Sequence, residues 1–381
     1  MKQIKLKGTD IFNGHELLGP GKVLILEENG AVAGIVPETE AGEGVQQLNG
    51  ILCPGFVNTH CHLELSHMKG VIPEKTGLPA FLTQVMQQRN NATADLNAAI
   101  DLAEQEMWES GIAAVGDICN GTATLIKKQQ GRMYYHSFVE CMGVADAGAT
   151  GRYTYSLDVL QSFREIDGSR HRCTIVPHAP YSVSATLFKL LADTPGNSPV
   201  SIHNQETAAE NELYQQKTGD FLNFYRQFGM DASGFRSSGT NSLEAYLGYF
   251  NGNRILLVHN TFTTEADIQA AKQLDVDAWW CLCPQANLYI ENKLPDIAMM
   301  RRLHCPITIG TDSLASNHCL SIWEEIKTIR RYFPEIPLDE MLQWATFNGA
   351  KFLGIEDTYG CFDPGATPGV LLINHECTRI I

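Results

Sequence analysis

The chain has 381 residues, of which 44% are hydrophobic and 19% charged, with a formal net charge of -15; this supports a large buried core, excludes disorder, and makes a nucleic-acid polymer a poor partner, because so acidic a surface repels phosphate. Eleven cysteines without a disulfide-like rhythm read as reduced thiols of a cytoplasmic protein. No apolar run approaches the ~18 residues of a membrane helix, so no membrane partner is expected.

Residues 1–50 read as short strands broken by turns. Segment 1–8 alternates as a strand does, unlike the charged and apolar blocks of a leader; 22–27 is β-rich, Glu28-Asn29-Gly30 turns, and 31–36 resumes. From Ile51 short apolar runs alternate with longer helical patterns, which predicts βα units and a parallel sheet. The eight runs are 51–59, 112–118, 133–140, 173–177, 200–203, 254–259, 278–283 and 306–311. Helical patterns between them include 96–109, 185–191, 265–274 and 320–332. Eight such units predict an α/β fold, a (β/α)8 TIM-type barrel over residues 51–356. A doubly wound open sheet is the alternative, but no Gly-rich phosphate loop follows the first run. Another helix is expected over 341–353; Asp363-Pro364-Gly365 and Pro368-Gly369 then precede the apolar run 370–373. That run has no place in a closed eight-stranded barrel. Pairing with the N-terminal strands would bury it, giving a small β-sandwich domain built from both chain ends, residues 1–50 and 357–381.

Polar residues cluster where these runs end, on the barrel face that carries active sites. The first run ends in Thr59-His60-Cys61-His62, and side chains two apart on a strand share a face. Two neutral imidazoles there make half a site for zinc or iron(II), although an HxH alone is a weak signal. The fifth run ends in Ser201-Ile202-His203, the sixth in Val258-His259, and the eighth in Gly310-Thr311-Asp312. Any one of these is most simply a satisfied core or loop residue. Four histidines and an aspartate ending strands of one barrel point jointly to a metal site.

These residues carry a resemblance. Pro54-Gly55-Phe56-Val57-Asn58-Thr59-His60-Cys61-His62, His203-Asn204-Gln205-Glu206, His259 and Gly310-Thr311-Asp312-Ser313-Leu314-Ala315-Ser316-Asn317 resemble the amidohydrolase superfamily. The nearest branch holds the cytosine, guanine and adenosine-derivative deaminases and the triazine chlorohydrolases. The resemblance implies His60, His62, His203 and Asp312 as ligands of one divalent metal ion, zinc first with iron(II) as the alternative. The fourth run offers no lysine for a second ion. It implies His259 as the hydrogen-bonding partner of the attacking water, Asp312 as acceptor of its proton, and Glu206 as proton shuttle. The reaction implied is hydrolytic deamination of a cyclic amidine: water adds to a ring carbon bearing an amino group, and ammonia leaves. His178, in Pro177-His178-Ala179-Pro180-Tyr181-Ser182, and Ser316 are implied to contact the substrate, a small heterocycle. Leu63-Glu64-Leu65-Ser66 and Gly310 to Asn317 are similar to aminofutalosine deaminases, which implies an adenine carrying a large ribose-derived substituent. Where related deaminases bind ribose through a glutamate on the first helix, this chain has Arg89. A homodimer is also implied.

Plainer readings stand beside these. Glu206 could simply be a negative charge favoured before the helix over 207–214, and Ser316 could cap a helix. Glu64, His67 and His318 lie on loops of the same face, open to substrate contact, with solvated loop residues as the commoner reading. His62-Leu63-Glu64 matches half of the unrelated zinc cytidine deaminase signature; Cys281-Leu282-Cys283-Pro284 has the wrong order for the other half and reads as buried thiols. Two rival functions remain. One keeps the site but changes the leaving group or base, as in a guanine deaminase or triazine chlorohydrolase. The other is a non-catalytic metal-binding barrel.

Overall fold

The computed structural model describes residues 3–90 and 95–381; of the alternating segment 1–8, Met1 and Lys2 lie outside them. The chain opens with β1 (Ile4–Lys7), β2 (Asp10–Ile11), β3 (Lys22–Leu26), β4 (Val32–Pro37), β5 (Val45–Gln47) and β6 (Ile51–Pro54). There follow β7 (Phe56–Cys61), β8 (Ile112–Cys119), β9 (Tyr134–Cys141) and β10 (His171–Pro177). Next come β11 (Val200–Asn204), β12 (Arg254–His259), β13 (Asp277–Leu282) and β14 (Ile307–Ile309), and finally β15 (Val370–Ile373) and β16 (Cys377–Arg379).

Strands β7 to β14 form the predicted barrel. Two parallel four-stranded arcs, β7 to β10 and β11 to β14, meet at both seams. The His203 N–H donates to the His178 carbonyl at 3.0 Å, and the Thr311 N–H donates to the His60 carbonyl at 3.0 Å. Strands β7, β8 and β9 are buried along their whole length, as expected where side chains fill the inside and helices cover the outside.

The small β unit joins both chain ends. Its sheets run β4-β3-β1-β5 and β16-β15-β6-β2 and share a core of Leu6, Leu24, Val32, Leu52, Phe362 and Val370. Here the structure corrects one expectation: the run 51–59 is two strands in different sheets. Residues 51–54 pair antiparallel with β15, and the barrel strand begins at Phe56, whose N–H donates to Gly111 O at 2.9 Å. The break falls at Gly55, where a Cβ would lie 2.4 Å from the Pro368 carbonyl oxygen. Only glycine admits that approach.

Over the C-terminal mouth lie the helices Leu78–Gln88 and Asp220–Gln227. The first buries Leu78, Phe81 and Val85, a spacing that sets one apolar stripe along a helix. They join Phe221, Phe224, Tyr181 and Ile290 in an apolar cluster distinct from the barrel core, which roofs the site.

Candidate active site

The barrel delivers the five metal-site candidates to one point. His60 lies within β7 and His62 follows it; His203 lies in β11, His259 ends β12, and Asp312 follows β14. Two of these residues turn the chain sharply. His259 has φ +75° and Asp312 φ +57°, the left-handed region that costs a non-glycine residue about 1–3 kcal/mol. The barrel holds them there: Asp312 N–H donates to His60 O at 3.1 Å, and Asn260 N–H to Asn204 O at 3.0 Å. Strain concentrated at two polar strand ends favours a functional reading over a packing one.

Single donor atoms of His60, His203, His259 and Asp312 lie within 4.8 Å of one another. His62 Nε2 is 3.2 Å from His203 Nε2 and 3.4 Å from Asp312 Oδ1, and His60 Nε2 is 3.6 Å from the same oxygen. Five donors thus gather at the mouth, although the tightest foursome holds His259 and leaves out His62, which meets His203 and Asp312 from the side. The donors fit a cation for a second reason. His60 is fully buried, yet among the described residues neither of its ring nitrogens has a hydrogen-bond partner, nor does His62 Nδ1. Buried polar atoms are rarely left so, and imidazole nitrogens and a carboxylate are the donor set of zinc and iron(II). His203 Nδ1–H donates to the His178 carbonyl at 2.7 Å, which fixes the tautomer and aims the Nε2 lone pair inward.

Electrostatics agree. Burial drives His60, His62 and His203 below the ordinary imidazole range and takes His259 down to about 3, so the rings are neutral, as ligation requires. At Asp312 burial works upward, but His62, His259 and the Ser316 hydroxyl outweigh it and hold the carboxyl ionised. Glu206 is the opposite case. Burial first, then the Asp312, Glu291 and Glu210 carboxylates, push it well above the carboxylate range, and its Oε1 lies 3.6 Å from His259 Nε2. The two carboxyls are shifted in opposite directions, Asp312 towards the charged form and Glu206 towards the neutral one, a divergence that suits base and acid roles.

This cluster floors a cavity of about 730 Å³ reached by His62, His203, Glu206, His259 and Asp312. The His178 ring lines the wall, with Nδ1 at 2.7 Å from Ser182 Oγ, in keeping with the predicted substrate contact. Ser316 departs from expectation. It is fully buried, does not line the cavity, and donates its hydroxyl to Asp312 Oδ2. It therefore positions the carboxylate, and neighbouring Ser313 reaches the cavity instead. Glu64 and Arg89 line the wall, 3.5 Å apart, so Glu64 is buried and not solvated. His67 lies behind it, its Nε2 2.8 Å from the Arg89 carbonyl, while His318 stays exposed beside Glu74. Glu140 and Asn120, which sequence reasoning passed over, also face the cavity. A polar end to the third apolar run marked Glu140 as it had marked the histidines. Cys281 and Cys283 are buried thiols 4.0 Å apart, as read.

The amidohydrolase family, by its sequence model, matches residues 51–375. The adenosine deaminase of Helicobacter pylori is 26% identical over 325 residues, covering 81% of this chain and 76% of its own. The aminodeoxyfutalosine deaminase of Nitratiruptor sp. is 26% identical over 314 residues, covering 81% and 75%. Among solved structures, Helicobacter pylori aminofutalosine deaminase in complex with methylthio-coformycin superposes with a TM-score of 0.85 at 21% identity, over 98% of this chain and 93% of that one.

Proposed function

We propose, from the premise that this chain belongs to the amidohydrolase family, that it is a metal-dependent hydrolytic deaminase of an amino-substituted heterocycle of the adenine-nucleoside type. The observation that carries the reading is Glu206, a buried carboxyl 3.6 Å from His259 Nε2 at the edge of the metal donor set, where burial and neighbouring carboxylates favour its neutral form. An amine must gain a proton to leave, whereas chloride needs none, so a poised acid favours deamination over chlorohydrolysis. A purely structural ion would require neither that acid nor a fifth donor.

We assign His60, His62, His203 and Asp312 as ligands, because His259 alone of the five shares its Nε2 with Glu206. A divalent ion bound there, zinc by preference, supplies Lewis acidity and makes a water nucleophilic near neutral pH. Asp312, ionised at rest, accepts the proton of the attacking water. His259 Nε2 orients that water. Glu206 protonates the ring nitrogen beside the target carbon, takes up the proton of the added hydroxyl as the carbonyl forms and passes it to the departing amine; the proton held by Asp312 then restores Glu206. General acid–base help of this kind contributes about 10²- to 10⁴-fold. The names of the relatives support an adenosine-like substrate, and the apolar roof supports a substituent beyond the sugar.

The test is a panel of adenine, guanine, cytosine and adenosine derivatives assayed for ammonia with the metal-loaded protein. Ammonia from the adenosine derivatives is expected. Chloride release from a chlorotriazine without any deamination would favour the rival reading.

A further inference from the structure

The reaction centre draws its side chains from β7, β11, β12 and β14. Beside it, the cavity is walled by Glu64 after β7, Asn120 after β8 and Glu140 in β9. No step of the deamination uses these three. Glu64 and Glu140 are each about 5% exposed, and Asn120 ties them together. Its backbone N–H donates to Glu64 Oε2 at 2.9 Å, and its side-chain amide donates to Glu140 Oε2 at 2.9 Å. One oxygen of each carboxyl is thereby fixed.

The other oxygens are poorly served. Among the described residues, Glu64 Oε1 meets Arg89 Nη2 at 3.5 Å, the outer limit of a hydrogen bond. Glu140 Oε1 lies 3.4 Å from His203 Nδ1, whose proton already goes to the His178 carbonyl at 2.7 Å. Two immobilised carboxyl acceptors thus face one cavity wall short of donors, and buried acceptors of this kind are normally satisfied. We infer that Glu64, Asn120 and Glu140 form a subsite for the vicinal hydroxyl groups of a sugar ring. The inference rests on the nucleoside reading above and adds the residues that read the sugar.

The order of surfaces across the cavity matches a substituted nucleoside. The catalytic floor takes the base, the carboxyl pair takes the sugar, and the roof of Leu78, Phe81 and Val85 takes the group beyond it. A sugar hydroxyl donating to a buried carboxyl oxygen satisfies it, and two acceptors joined through one asparagine suit two neighbouring hydroxyls. The competing occupant is a second divalent cation, since donor atoms of Glu140, His178 and His203 also lie within 4.8 Å of one another. The commitment of His203 Nδ1 to a carbonyl opposes it.

The experiment compares adenosine with 2',3'-dideoxyadenosine in the wild-type protein and in Glu64→Gln and Glu140→Gln, each checked for melting temperature and metal content. The wild type should favour adenosine at least about tenfold in kcat/KM. Either variant should lose about tenfold or more on adenosine, chiefly through KM, and at most about threefold on the dideoxy nucleoside. Equal losses on both nucleosides, no wild-type preference, or a fall from two metal ions to one in Glu140→Gln would overturn the subsite. If neither nucleoside yields ammonia, calorimetric binding of the same pair still decides. A preference for the diol that Glu64→Gln abolishes upholds the subsite while the deaminase reading fails, and no preference defeats it. Should one variant not fold, the other supplies the same comparison.

Discussion

At the scale of single residues, the division of labour among carboxyls governs the chemistry. Glu206→Gln keeps the shape but removes the transferable proton, so turnover should fall at least about 10²-fold while bound metal stays at the wild-type level; steady-state kinetics and elemental analysis check both halves. Ser316 acts through Asp312, whose Oδ2 it bonds. Ser316→Ala should therefore weaken metal affinity about 10- to 100-fold, as read by competition with a chelator, and an unchanged affinity would place Ser316 outside the site's support. The proposed ligands His60, His62, His203 and Asp312 stood out in the sequence because each is a polar residue ending an apolar run. Ser316 was legible as a site residue but not in its role. Its four-residue offset from Asp312 fits a substrate contact and a bond to the carboxylate equally well, and only the turn between them decides. Asn120 was hidden because its importance lies in joining Glu64 and Glu140, residues distant in the chain.

At the scale of elements, the strand ends depend on a buried ion pair within the βα unit of β8, which reaches the neighbouring units on both sides. Lys128 Nζ lies 2.6 Å from Asp117 Oδ2, and both side chains are fully buried. The lysine also donates to Ser137 Oγ at 2.8 Å. Asp117 Oδ1 accepts from the Leu63 N–H at 2.9 Å, so the pair clamps the turn that leaves His62. At Lys128 burial works to lower the pKa, but Asp117 and Cys119 outweigh it and keep the ammonium charged. Lys128→Met strands a buried carboxylate and should cost about 3–5 kcal/mol in denaturant unfolding, whereas Lys128→Met with Asp117→Asn should recover much of that loss. A single variant as stable as the wild type would show that the pair is not structural. Hydrophobic pattern gave no sign of this pair, since Asp117 sits inside an otherwise apolar run. The same blindness merged β6 with β7: residues 51–57 carry no charged or amide side chain, and Gly55 reveals the change of sheet only once Pro368 is seen against it.

For the whole molecule, the eightfold alternation of runs and helices made the barrel legible, and the surplus run 370–373 made the two-ended β unit legible. The roof over the mouth was not, because helix Leu78–Gln88 packs on Asp220–Gln227, a segment with no sequence link to it. Burial at this scale also makes stability depend on pH. Glu210 is pushed up to about 7 by burial, partly offset by the Ser242 hydroxyl and the Gln205 N–H. The unfolded chain titrates it near ~4.3, so between these values the folded state binds the extra proton. Its stability is then full below about pH 4 and declines as pH rises to about 7, by at most about 3 kcal/mol. Urea unfolding of the metal-free protein across that range should show the decline, and Glu210→Gln should flatten it; an identical slope in the variant would contradict the assignment.

The account stands or falls with one ion held by four separated side chains and needed for turnover. Ammonia release from adenosine-type nucleosides should be measured on the protein as loaded, after chelation, and after one equivalent of zinc is restored. Activity should vanish with the ion and return near one ion per chain. Undiminished release from the chelated protein, or metal retained in full by His203→Ala, would contradict it.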